Sequence, residues 1–210
     1  MRRKYKFEQV QTFKYLGKII SNKNDKSIEI AQRIKAGHNA YYRYKDIMGS
    51  KKISRKTKLK VYKAAIRPTV LYAAETMRIT NKDAENVRVF ERKIIRRIYG
   101  PKKIDEDRYR RLTNQEIREI LNGEDIVKEI KSKIIRWYGH INRKDEESIT
   151  RKITKWKPQG SGAKGRPKIR WEDQVTNDIR AMGITEWREK IKDRKVWKQI
   201  ADEAKKNDNL

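Results

Sequence analysis

The 210-residue chain contains no cysteine. Disulfides are thereby excluded, and so is every zinc knuckle or finger whose ligands include cysteine. No run of about 18 apolar residues occurs, so no segment reads as a membrane-spanning helix. Only two histidines are present, His38 and His140. They fall on separate predicted helices, without the carboxylate partners that a metal site or a Ser-His-Asp triad needs. No two aspartates are adjacent anywhere. Nucleotidyl transfer needs carboxylates that hold two metal ions about 3.5–4 Å apart, and no such pair is legible. Asp105-Glu106-Asp107 lies among Lys and Arg with no apolar strand beneath it and reads as a charge-balanced turn. Gly160-Ser-Gly-Ala-Lys-Gly165 lacks Walker spacing and follows no strand. The expectation is a chain with no catalytic residues, no metal ligands and no cofactor of its own.

Negative charge is the other deficit. Lys and Arg number 56 against 28 Asp and Glu, a formal net charge of +28. A compact chain so charged repels itself unless an anionic partner screens it. The partner expected is RNA or DNA, with no membrane role, in an intracellular and nuclear setting. Hydrophobic residues make up 36%, below the usual globular share. Their regular spacing nevertheless predicts helices with narrow apolar faces and a thin core.

The fold class expected is mainly α with a small N-terminal β-hairpin. Val10 to Ser21 reads as extended, bending at Gly17, and residues 21–25 as a turn. Ile30, Ile34, Tyr41, Tyr44 and Met48 predict a helix from Ser27 to Met48, stopped by Gly49. Ser54 is a cap for a helix near 55–79, with Leu59, Tyr62 and Ile66 on one side and Pro68 splitting it. Thr80 and Asp83 have capping-box spacing. They open a helix carrying Val87, Phe90, Ile94 and Ile98 that ends at Gly100-Pro101. Residues 102–112 read as a charged loop and 114–121 as a short helix. A helix starting near Glu124-Asp125 carries Val127, Ile130, Ile134, Trp137 and Ile141. A short segment holds Ile149, Ile153 and Trp156, and residues 158–165 form a linker. Trp171, Val175, Ile179 and Met182 mark one further helix face, and Thr185 and Asp193 are caps for the last two helices.

Two windows hold cations without carboxylates. The first, between Gly49 and Pro68, carries Lys51, Lys52, Arg55, Lys56, Lys58, Lys60, Lys63 and Arg67. Several oppose the Leu59–Tyr62–Ile66 side, and a helix buried on one side and positive on the other suits a phosphate backbone. The second carries Arg151, Lys152, Lys155, Lys157, Lys164, Arg166, Lys168 and Arg170. Its Gly and Pro content makes a basic arm that could enter a groove, and Lys164-Gly165-Arg166-Pro167 is similar to the core of an AT-hook. Among the aromatics, Trp137, Trp171 and Trp187 are expected to pack in the core. Tyr42, off the apolar stripe beside Arg43, is the better candidate for stacking on a base. Gly139-His140 reads as a helix-packing feature.

Five motifs in order resemble the non-LTR (LINE-type) retrotransposon endonuclease–reverse transcriptases. They are Phe13-Lys14-Tyr15-Leu16-Gly17; Glu29-Ile30 with Arg33-Ile34; the run from Thr57-Lys58-Leu59 through Pro68 to Glu75-Thr76; Arg136-Trp137-Tyr138-Gly139-His140 with Arg143; and Gly165-Arg166-Pro167 with Arg170-Trp171 and Asp178. They span about residues 10–200. The resemblance implies a palm-end hairpin over 1–24, with Tyr15, Leu16 and Gly17 at the primer grip. It implies a helical thumb over 25–123, a helical connection over 124–158, and a basic linker with C-terminal helices over 159–210. The thumb would grip template–primer duplex through phosphates. The family's palm aspartates, and the Mg they use, are not found in this chain, so a palm-bearing reverse transcriptase core is an implied partner. Met77 stands where the family has Trp. The alternative is a domesticated DNA-binding module that uses the Gly-Arg-Pro arm in the minor groove.

Overall fold

A computed structural model describes residues 8–15, 18–21, 27–157 and 169–210. The chain is mainly helical, with a hairpin at its start. Strands β1 (Thr12–Tyr15) and β2 (Lys18–Ser21) pair antiparallel, Thr12 opposite Ser21 and Tyr15 opposite Lys18. Leu16, Gly17 and residues 22–25 lie outside the described residues.

Helix α1 (Ser27–Arg43) and helix α2 (Lys45–Gly49) replace the single helix expected to Met48. The turn tightens where the Tyr44 amide bonds the Tyr41 carbonyl at 3.1 Å. The apolar face survives this break, with Ile30 and Met48 both buried. Ser54 caps α3 (Arg55–Val61), accepting from the Thr57 amide at 3.1 Å. The chain then widens into one π turn at Tyr62–Ile66 before α4 (Arg67–Leu71). Pro68 supplies the reason, because it has no amide hydrogen and its ring displaces the carbonyl four residues back. The Arg67 amide reaches Tyr62 instead. Helix α4 stops well short of residue 79. Arg33 donates to the Val70 and Tyr72 carbonyls, satisfying groups that a longer helix would have used. Ala73 turns to φ +49°, and one 3₁₀ turn, Ala74–Thr76, follows. Met77 is buried.

The Thr80–Asp83 capping box opens α5 (Asn81–Tyr99) as its spacing predicts. Its stripe of Val87, Phe90, Ile94 and Ile98 is buried. Residues 102–112 are more ordered than a loop. Strands β3 (Lys102–Lys103) and β4 (Tyr109–Arg110) form a two-residue ladder, and the Asp105–Arg108 ion pair closes its turn. Thr113 and Glu116 form a second capping box on α6 (Asn114–Ile120).

Helix α7 (Ile126–Asn142) is the centre of the molecule. It packs against α5, the Ala74–Thr76 turn, α8 (Ile149–Lys155), α9 (Trp171–Ala181) and α11 (Arg194–Glu203), with the short α10 (Trp187–Lys190) between the last two. Asp125 accepts from the Lys128 amide at 2.7 Å, and Glu91 accepts from the Ile126 amide at 2.8 Å. Asp193 caps α11 as predicted; Thr185 does not cap α10, whose preceding residue is Glu186 at φ +52°. One hydrophobic cluster runs from Ile30 to Leu210 without interruption. Two glycines let helices approach closely. A Cβ on Gly37 would lie 2.5 Å from the Phe90 ring, and one on Gly139 would lie 2.0 Å from the Trp197 indole nitrogen.

Candidate nucleic-acid interface

Capping by Ser54 fixes the phase of α3. Tyr62 and Ile66 then point into the core, while Lys56 and Lys60, one turn apart, point out. Lys51, Lys52 and Arg55 precede them and are also exposed. No carboxylate among the described residues pairs with any of these five. The remaining cations of the window have other fates. Lys58 is buried. Lys63 is exposed but lies 3.7 Å from Glu124.

Arg67, expected on the phosphate-binding face, is 3% exposed and lies inside the protein. It sits 3.0 Å from Glu129 and 3.5 Å from Glu91. Burial works against its charge, but Glu91, Tyr62 and Glu129 outweigh it and hold the guanidinium cationic. Burial pushes the Glu91 carboxyl up against the pull of Arg67, and the Tyr62 hydroxyl, which donates to Glu91 at 2.8 Å, is pushed well up by burial. Removing one partner of such a group leaves a buried charge uncompensated. Arg67 therefore ties α4, α5 and α7 together. Sequence proximity to Lys63 gave no sign of this, because both carboxylates come from distant helices.

The second basic window is not carboxylate-free in space. The turn at Asp145–Ser148 folds back onto α8. Glu146 then lies 3.0 Å from Arg151 and 4.0 Å from Lys155, and Glu147 pairs with Lys152. Arg170 donates to the Thr154 and Trp156 carbonyls at 3.0 and 2.7 Å, pinning the start of α9 to the end of α8. Lys164, Arg166 and Lys168 lie outside the described residues, as does the Gly165-Arg166-Pro167 motif. Of Tyr15, Leu16 and Gly17, expected at a primer grip, only Tyr15 is described; its exposed ring stacks on Phe13, centroids 6.4 Å apart.

The aromatics divide partly as expected. Trp171 and Trp187 pack on the core. Trp137 does not take a core position; it is half-buried and stacks on His140 at 5.0 Å, and its neighbour Tyr138 occupies the interior. The fully buried tryptophan is Trp197, whose indole donates to the Ile135 carbonyl at 2.8 Å. Gly139 is what admits it, so Gly139 serves packing, as the sequence suggested. Around it, Arg136 pairs with Asp202 at 2.6 Å and Arg143 donates to the Ile191 carbonyl at 2.9 Å. Asp178, in the last motif, pairs with Lys131 at 2.8 Å.

Tyr42 is 57% exposed. It stands at a cleft of about 520 Å³ with His38, Lys93, Arg96, Arg97 and Arg111, and no carboxylate lines it. Sequence reasoning missed these four cations, because packing gathers them from two separate segments, 93–97 and 111. Glu116 explains how Arg111 arrives there. Its carboxylate binds Arg110 at 2.7 Å and Lys102 at 2.8 Å, clamping the 102–112 segment onto α6, and these contacts hold its pKa well below the usual carboxylate range. Among the described residues, no group of three His, Asp or Glu side chains is placed to hold a metal ion. None of the described helices is long and apolar enough to cross a membrane.

The chain is similar to a transposon-derived protein. That protein, from Caenorhabditis elegans and itself described as uncharacterized, is 27% identical over 196 residues, covering 90% of this chain and 70% of the relative. The likeness supports a transposon origin. No family profile matches the chain. No solved structure matches it either.

Proposed function

We propose that this chain is the thumb and C-terminal region of a non-LTR retrotransposon reverse transcriptase and that it holds template–primer RNA or DNA through phosphate contacts. The observation that carries the binding role is the unpaired cation group Lys51, Lys52, Arg55, Lys56 and Lys60 around the start of α3. Surface cations normally sit among carboxylates, and five without one are unfavourable to one another until an anion arrives. The parentage rests on the five ordered motifs, and the transposon-derived relative is in keeping with it. Polymerase chemistry belongs to palm carboxylates that this sequence does not contain, so the chain contributes grip and a palm-bearing core contributes catalysis.

Fluorescence anisotropy with a labelled template–primer duplex, titrated from low to moderate salt, tests the binding role. Affinity should fall steeply, because each phosphate contact releases counterions. A flat salt response, or no binding at low salt, overturns it.

A further inference from the structure

The cleft beside Tyr42 has the chemistry of a more specific ligand than a duplex backbone. It is built from three elements: His38 and Tyr42 from α1; Lys93, Arg96 and Arg97 from α5; and Arg111 from the clamped segment after β4. Two of its cations, Arg96 and Arg97, are held in place before any ligand arrives. Arg96 donates to the Leu112 carbonyl at 3.0 Å and to Asn114 at 2.7 Å, and Arg97 lies 5.2 Å over the Tyr41 ring. They also oppose one another. Burial, then Arg111 and Arg92, push the Arg96 pKa down; burial, then Lys93 and Arg97, push the His38 pKa down. An anion in the cleft relieves that repulsion, and fixed donors cost little entropy to engage. At about 520 Å³ the space falls in the range of sites for single small molecules. Tyr42, largely exposed beside Tyr41, adds a π face that phosphate alone does not require. A paired base is stacked between its neighbours and cannot use that face; an unpaired base can.

We propose that this cleft binds one unpaired nucleotide of a single-stranded extension, the base stacking on Tyr42 and the flanking phosphates held by Lys93, Arg97 and Arg111. The assignment rests on the nucleic-acid-binding role proposed above and adds a preference for strand ends and junctions over continuous duplex.

The test uses the full chain and three labelled probes at one fixed salt concentration: a blunt duplex, the same duplex with a short single-stranded overhang, and that overhang made abasic. The overhang probe should bind tighter than the abasic probe by about fivefold or more, the lower bound for stacking one base. Tyr42→Ala should abolish that difference and leave the blunt duplex unchanged; Tyr42→Phe should keep it. Lys93→Ala should weaken binding of both overhang probes relative to the blunt duplex. Tyr42 and Lys93 are both exposed, so neither substitution disturbs the core. Equal affinity for overhang and abasic probes, with the blunt duplex still bound, overturns the nucleotide site and leaves the general binding role standing. A preference for the overhang that survives Tyr42→Ala overturns it as well. Failure of all three probes to bind overturns both.

Discussion

Around α3 the cations Lys56 and Lys60 face solvent with no carboxylate partner, whereas around α8 Arg151, Lys152 and Lys155 each have one. Both segments are short amphipathic helices with similar charge. Helix α3 is preceded by Ser50-Lys51-Lys52-Ile53-Ser54, and α8 by Asp145-Glu146-Glu147-Ser148. The acidic turn before α8 folds onto its own helix and neutralises it. The turn before α3 adds two more cations. Local positive charge therefore marks a polyanion surface only where the preceding turn does not supply the counter-charge. Within the first window, Arg67 shows a third outcome, since distant helices bring carboxylates to it in the interior.

The buried end of that window should give the largest effect. Glu91→Ala should destabilise the fold by about 3–5 kcal/mol, the usual cost of leaving a buried charge unpaired. Urea unfolding measures it, and a loss below about 1 kcal/mol would show that Arg67 does not depend on Glu91. Replacing Lys51, Lys52, Lys56 and Lys60 together with Gln should leave stability nearly unchanged. It should flatten the slope of log affinity against log salt on duplex DNA by about 3 to 4, near one unit per lost phosphate contact. The matching change at Arg151, Lys152 and Lys155 should alter that slope by less than about 1. Equal slopes for the two variants would erase the contrast between the helices.

The smallest effect concerns His38. Its pKa is lowered from the ordinary 6.5, by burial first and then by Lys93 and Arg97. The folded state thus binds the proton less readily than the unfolded chain. The resulting contribution to stability is full above pH 6.5 and is lost as pH falls below it toward the folded pKa. His38→Asn should flatten the pH dependence of stability between neutral and mildly acid pH, read from unfolding midpoints. An unchanged profile would mean that neither burial nor the cations of the Tyr42 cleft hold the His38 pKa down.

Much of the architecture was legible from side-chain spacing. The stripes of α1 and α5, the Thr80–Asp83 box and the Ser54, Asp125 and Asp193 ends all follow from local rules of capping and periodicity. Errors came where neighbours compete. Trp137 and Tyr138 fit the α7 stripe about equally well, and packing against Trp171 and Trp187 placed Tyr138 inside. Helix α4 ended early because Arg33 reached across from α1 to its last carbonyls.

The sequence by itself determined a cysteine-free, strongly basic, mainly helical chain, because composition and helical periodicity are properties of the chain alone. Only the tertiary structure decided which cations are free. For Arg67 and Arg110 pairing depends on carboxylates that arrive from other helices, Glu91, Glu129 and Glu116. The same packing gathered His38, Tyr42, Lys93, Arg96, Arg97 and Arg111, separated by up to 73 positions in sequence (111 − 38), around one cleft without a carboxylate.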